Sequence, residues 1–84
     1  MESPWRAVKA SFDPKAKKIL IELRNGITVG LPKSELPEIS RANSVQLRAI
    51  ELSPAGDALM WENLDVHISI DGLLHDVFVQ RLRA

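Results

Sequence analysis

The sequence predicts an α+β fold: an antiparallel β-meander, a second β-hairpin, and a C-terminal α-helix packed on one face. Three observations carry this. Apolar residues alternate with polar ones through the first part of the chain. Compact turn signals interrupt that alternation. The apolar spacing then changes from two to the helical period after Ser69.

Val8, Ala10 and Phe12 alternate with Lys9 and Ser11, the spacing of a half-buried strand. Asp13-Pro14-Lys15-Ala16 reads as a turn, because proline presets φ and the aspartate side chain supports the bend. Ile19, Ile21 and Leu23 resume the alternation against Leu20, Glu22 and Arg24. Asn25-Gly26 is a strong hairpin signal, since both residues tolerate positive φ. Ile27, Val29 and Leu31 make the third strand, and Pro32 ends it because proline cannot donate to a ladder.

The stretch from Lys33 to Ser40 is ambiguous: Ser34 could cap a short helical turn, and Pro37 limits its length. Asn43 or Ser44 is a candidate cap for a further turn through Val45, Gln46 and Leu47. Ile50 and Leu52 alternate with Glu51 and Ser53. Pro54-Ala55-Gly56-Asp57 then turns the chain into a short strand, Ala58 to Trp61, with Leu59 and Trp61 on one face. Ile70, Leu73, Leu74, Val77 and Phe78 mark an amphipathic helix. Ser69 is its expected N-cap, and Asp71 in its first turn complements the helix dipole. Two features compete with it. Val66, Ile68 and Ile70 also alternate, as a strand would, and Gly72 costs a helix about 1 kcal/mol relative to alanine.

Length bounds the answer further. The 84 residues are expected to form a single small domain over 1–84, burying under about two thirds of the unfolded surface. There is no cysteine, so neither a disulfide nor a thiolate–metal site can staple it. With only four aromatic residues, Ile, Leu and Val must fill the core. Met1-Glu2-Ser3-Pro4 lacks the pattern of a signal peptide, and no apolar run approaches the ~20 residues that span a bilayer. A cytoplasmic location away from membranes is the expectation.

Net charge is zero but unevenly spread. Residues 1–24 carry six basic and three acidic side chains, or +3. Residues 49–80 carry Glu51, Asp57, Glu62, Asp65, Asp71 and Asp76 with no lysine or arginine, or −6. Two readings follow: halves that attract each other on folding, or an acidic face for a basic partner. A broad nucleic-acid surface is disfavoured in the acidic half, because phosphate binding needs clustered basic residues.

The motifs of known chemistry are missing. The glycines are scattered rather than gathered in a phosphate loop, and neither a nucleophile elbow nor a zinc spacing is present. On a helix Asp71 and His75 would share a face, as two metal ligands might. The plainer reading is a weak surface pair at i,i+4. Glu62, Asp65 and Asp71 suggest paired carboxylates, yet acid–base work needs a cleft that raises one pKa. No catalytic residue, metal or cofactor is therefore expected. Trp61 is either a core plug between the second hairpin and the helix or an exposed anchor of a binding surface. Trp5 is expected at the sheet edge.

The segment Leu59-Met60-Trp61-Glu62-Asn63-Leu64-Asp65, followed by Ser69 and Gly72-Leu73-Leu74, resembles the closing motif of a bacterial family, domain of unknown function 2442. Leu36-Pro37-Glu38 and the run from Leu47 to Gly56 are similar to it as well. Met60 stands where relatives commonly have histidine and Ile70 where they commonly have proline, so no role of that histidine carries over. The resemblance implies a small bacterial α+β domain without a known catalytic residue, often encoded beside a second small protein in a toxin–antitoxin-like pair. Some longer relatives append a helix-turn-helix, for which the residues after Phe78 leave no room.

The functional expectation is thus a non-catalytic protein-interaction module, more finely one half of such a two-gene pair. Its candidate surface is Trp61, Glu62, Asp65 and Asp71, and its partner a small protein encoded nearby. A homodimer through a sheet edge is a further expectation, because unpaired edges invite pairing. The alternative is a nucleic-acid-binding or transcription-accessory role through the basic hairpin residues Lys9, Lys15, Lys17, Lys18 and Arg24.

Overall fold

The computed structural model describes residues 5–83, with side chains through Asp76. Strands β1 (Ala7–Asp13), β2 (Lys18–Leu23) and β3 (Thr28–Pro32) form one antiparallel sheet in the order β1-β2-β3. Strands β4 (Glu51–Leu52), β5 (Ala58–Trp61) and β6 (Val66–Ser69) form a second, in the order β4-β5-β6. A 3₁₀ turn (Lys33–Glu35) and the one-turn helix α1 (Ser44–Leu47) lie between the sheets, and helix α2 (Ile70–Arg83) follows β6 directly. The fold is α+β, as expected. The second hairpin has gained a third strand.

That third strand shows why two periods overlapped near Ile70. Val66 to Ser69 pair with β5 in unbroken register, Trp61 with Val66 through Ala58 with Ser69. The Ile70 amide still donates to the Asp57 carbonyl oxygen at 2.9 Å, which extends this ladder, while Ile70 already opens the helix. Ser69 then caps α2: its hydroxyl accepts from the Gly72 amide at 3.4 Å. Ile70, Leu73 and Leu74 are buried, whereas the Val77 and Phe78 side chains expected on the same stripe lie outside the described residues.

Every hairpin link contains a residue in the left-handed region. In the β1–β2 link it is Lys17 at φ 56°, with the Asp13 carboxylate accepting from the Lys15 amide at 3.0 Å. In the β2–β3 link it is Gly26 alone, at φ 92°. There Leu23 and Ile27 close a three-residue loop, the Leu23 amide donating to the Ile27 carbonyl oxygen at 2.8 Å. The hairpin turn expected at Asn25-Gly26 is present, with one correction: positive φ falls on Gly26 alone. Asn25 stays in the ordinary region, and its side chain accepts from the Ile27 amide at 3.1 Å. The longer loop needs only one left-handed residue, at its end.

A second correction concerns β1. Val8 is 58% exposed, while Ala7 is buried. The register shifts between Ala7, opposite Leu23, and Lys9, opposite Glu22. Val8 is the extra residue of a β-bulge, and one inserted residue moves every side chain before it to the other face.

The linker has a period of its own. Leu36, Ile39 and Ala42 donate in turn to the carbonyl oxygens of Lys33, Leu36 and Ile39, each at 3.0 Å. Bonds from i to i+3 bring every third side chain to one side, so Leu36, Ile39 and Ala42 are buried together. The Lys33 ammonium closes this spiral on the Ala42 carbonyl oxygen at 2.7 Å. Ser34 lies inside the 3₁₀ turn and is not its cap; Pro32 occupies that position. Asn43 caps α1 through a full capping box with Gln46.

One apolar cluster joins both sheets, the linker and the start of α2. At its centre Trp61 is fully buried, and its indole Nε1 donates to the Leu47 carbonyl oxygen at 3.1 Å. The two sheets are also stitched by backbone. The Ala7 amide donates to the Gly56 carbonyl oxygen at 2.8 Å, and Gly56 has φ 75°. A Cβ there would strike the Ala7 carbonyl oxygen, so glycine is required twice over. Among the described residues, no helix is long and apolar enough to cross a membrane.

Candidate functional site

The structure divides the expected acidic surface. Trp61 is removed from it: the ring is fully buried and its nitrogen is bonded inward, so it plugs the core instead of anchoring a partner. Glu62 and Asp65 are exposed in the link between β5 and β6. Asp65 sits at φ 54° and ends a 3₁₀ turn, its amide donating to the Glu62 carbonyl oxygen at 3.2 Å. A short polar side chain is well suited to this conformation. Asp71 is exposed in the first turn of α2, beyond the far end of β6. Four strand residues separate the two places, a span of about 13 Å.

His67 lies between them. Its side chain is on the outer face of the second sheet, opposite Met60 in register. It borders a shallow hollow of about 160 Å³ beside Glu62 and Asp65. It also borders a wider hollow of about 730 Å³ beside Arg6, Asp57 and Asp71. On its third side runs a groove of about 580 Å³ along the edge of β6, with residues 34–38 as the opposite wall. Leu36 and Leu73 contribute its apolar lining, and Glu35, Glu38 and Asp76 its carboxylates.

Glu35, Glu38 and Asp76 did not stand out in the sequence as site residues. The first two belong to the linker, and only the return of the chain along β6 sets them opposite His67 and Ser69. Their one local signal is the pattern of Glu35 and Glu38 around Leu36: two exposed acids next to one buried leucine.

The basic hairpin is divided as well. Lys15, Lys17 and Lys18 gather at the β1–β2 turn, whereas Arg24 begins the link at the opposite end of β2, about 20 Å away along six residues. Lys9 is paired in register with Glu22, and Lys18 with Asp13. Opposite charges across the strands lower the field that a phosphate backbone would meet. Among the described residues, no group of three His, Asp or Glu side chains is placed to hold a metal ion. His75 Nδ1 lies 3.7 Å from the Asp76 carboxylate on the surface.

These features define a small two-sheet α+β domain with an open acidic groove along its last strand. Residues 7–78 match the family described as Protein of unknown function (DUF2442), and the chain belongs to that family. A crystal structure of a protein of unknown function from Rhodospirillum rubrum is similar to it, with 34% identity and a TM-score of 0.82 over 88% of this chain and 89% of that one. A solution structure of an uncharacterized protein from Chromobacterium violaceum is similar at 27% identity and a TM-score of 0.73, over 83% of this chain and 64% of that one. No curated protein matches the chain.

Proposed function

We propose that this protein is a non-catalytic interaction module that binds a basic protein through its acidic second half. In finer detail, the partner is a small protein encoded beside it, as in a toxin–antitoxin-like two-gene pair. The observation that carries this reading is the β6 groove. Three carboxylates from two distant parts of the chain converge on it, and its described lining holds no lysine or arginine. The exposed Glu62, Asp65 and Asp71 continue the acidic surface at either end of β6.

The environment of the ionisable groups supports binding over catalysis. Every titratable side chain among residues 5–76 is exposed or half-buried. A general acid or base is commonly tuned by burial away from water, which these side chains do not have. The nucleic-acid alternative has weaker support, since its five basic residues are split between two ends of a hairpin and two of them face acids.

The test is co-purification from the native host with the tagged chain, against a variant carrying Glu38→Lys, Glu62→Lys and Asp65→Asn. Asparagine keeps the left-handed turn while removing the charge. The expected result is a basic protein that the native chain captures and the variant does not. Equal capture by both, or capture by neither, overturns the reading.

A further inference from the structure

We propose that the free edge of β6 accepts an extended, lysine- or arginine-bearing segment of the partner as an added strand. This rests on the interaction reading above and specifies its mode.

Four strands lie at sheet edges: β1, β3, β4 and β6. Exposed edges are templates for unwanted pairing, and proteins blunt them with bulges, prolines, charges or extreme shortness. Three of these four are blunted. Strand β1 carries the bulge at Val8, β3 ends in Pro32, and β4 has only two residues. Strand β6, Val66-His67-Ile68-Ser69, has none of these devices: it holds no proline, no lysine and no register shift.

The direction of its free backbone groups follows from the ladder. The Ile70 amide donates to the Asp57 carbonyl oxygen, so that pair is of the hydrogen-bonded kind. Antiparallel pairs alternate between bonded and non-bonded. With the register unbroken, Ile68 and Val66 are bonded to β5 through Leu59 and Trp61, and His67 and Ser69 are not. The amides of His67 and Ser69 and the His67 carbonyl therefore point away from β5. Both residues line the groove whose far wall is formed by residues 34–38.

A strand laid there would run about 4.8 Å from β6 and present its side chains alternately to the two sides. The exposed Pro37 offers apolar contact, and Glu35, Glu38 and Asp76 select for positive charge. The same acids argue against a second copy as the occupant. Symmetric pairing of β6 with β6 would set two such carboxylate groups against each other.

The probe is a capped heptapeptide of alternating lysine and valine, with its glutamate–valine counterpart as control, titrated into the ¹⁵N-labelled chain. The expected result is binding of the lysine peptide alone, with exchange of the His67 and Ser69 amides slowed about tenfold or more at saturation. His67→Pro removes an edge amide without breaking the β5 ladder and is expected to weaken binding about tenfold. Glu35→Lys with Glu38→Lys keeps the backbone of β6 and weakens binding as well, which covers the case of a proline that disturbs the strand. Lack of binding, or binding that leaves both amides exchanging as before, overturns the proposal. A native partner captured equally by the wild-type and His67→Pro chains refutes strand addition and leaves the interaction reading standing. If no native partner is captured at all, the interaction reading falls, and strand addition falls with it as its mode.

Discussion

The two three-stranded sheets have the same topology but are held in different ways. The first has strands of seven, six and five residues, whose alternation and local turns account for most of their pairing. The second has strands of two, four and four residues, too short to stand as an independent sheet. It depends on parts outside itself: the Leu47 carbonyl oxygen that accepts from the Trp61 indole, the Ala7 amide that donates to the Gly56 carbonyl oxygen, and the first turn of α2. The charge follows the same division, with both signs on the first sheet and acids but no lysine or arginine among residues 49–80. The surface proposed for a partner thus sits on the sheet that relies most on tertiary contacts.

Substitutions can break or sharpen this contrast. The largest effect is expected for Gly56→Ala, which forces a Cβ into the Ala7 carbonyl oxygen at positive φ and should cost about 3 kcal/mol or more. Gly26→Ala, in the first sheet, has the same kind of φ with nothing within 4 Å of the added atom, so about 1–2 kcal/mol is expected. Urea unfolding of both variants measures the difference, and equal losses would remove Gly56 as the junction between the sheets.

Next comes Trp61→Phe. It removes the indole donor, leaving the Leu47 carbonyl oxygen the Ile50 amide at 3.2 Å, and it leaves space in the core, so about 2–3 kcal/mol of stability should be lost. Asn43→Ala removes the cap that sets α1, and so the position of Leu47, at about 1 kcal/mol. Hydrogen exchange should show this loss first in the second sheet. The smallest effect belongs to Val8→Thr. A residue on the outside of a bulge should change stability by less than about 0.5 kcal/mol. A strand without the bulge would put Val8 in the core and lose well over 1 kcal/mol, so calorimetry distinguishes the two registers.

Much of the fold was legible from local pattern. Ile19, Ile21 and Leu23 announced β2, the turn residues announced its neighbours, and Asn43 or Ser44 marked a short helical turn whose cap the structure assigns to Asn43. Val8 misled because a bulge leaves no mark in an alternation of apolar residues. The linker was opaque because its buried residues repeat every third position, a period that belongs neither to strand nor to α-helix. Of the site, Glu62, Asp65 and Asp71 were visible as a run of acids; the first reading of Trp61 as a core plug holds, and its alternative place among the acids as an anchor does not.

The sequence by itself determined the first sheet, the second hairpin, the closing helix, their order, most turns and the separation of charge, because these depend on neighbours within a few residues. Only the tertiary structure decided that Trp61 turns inward, that Gly56 meets Ala7, and that Glu35 and Glu38 stand across a groove from β6. Those outcomes depend on contacts between residues far apart in the chain, where packing and the pairing of buried backbone groups select one arrangement from several that local preference allows.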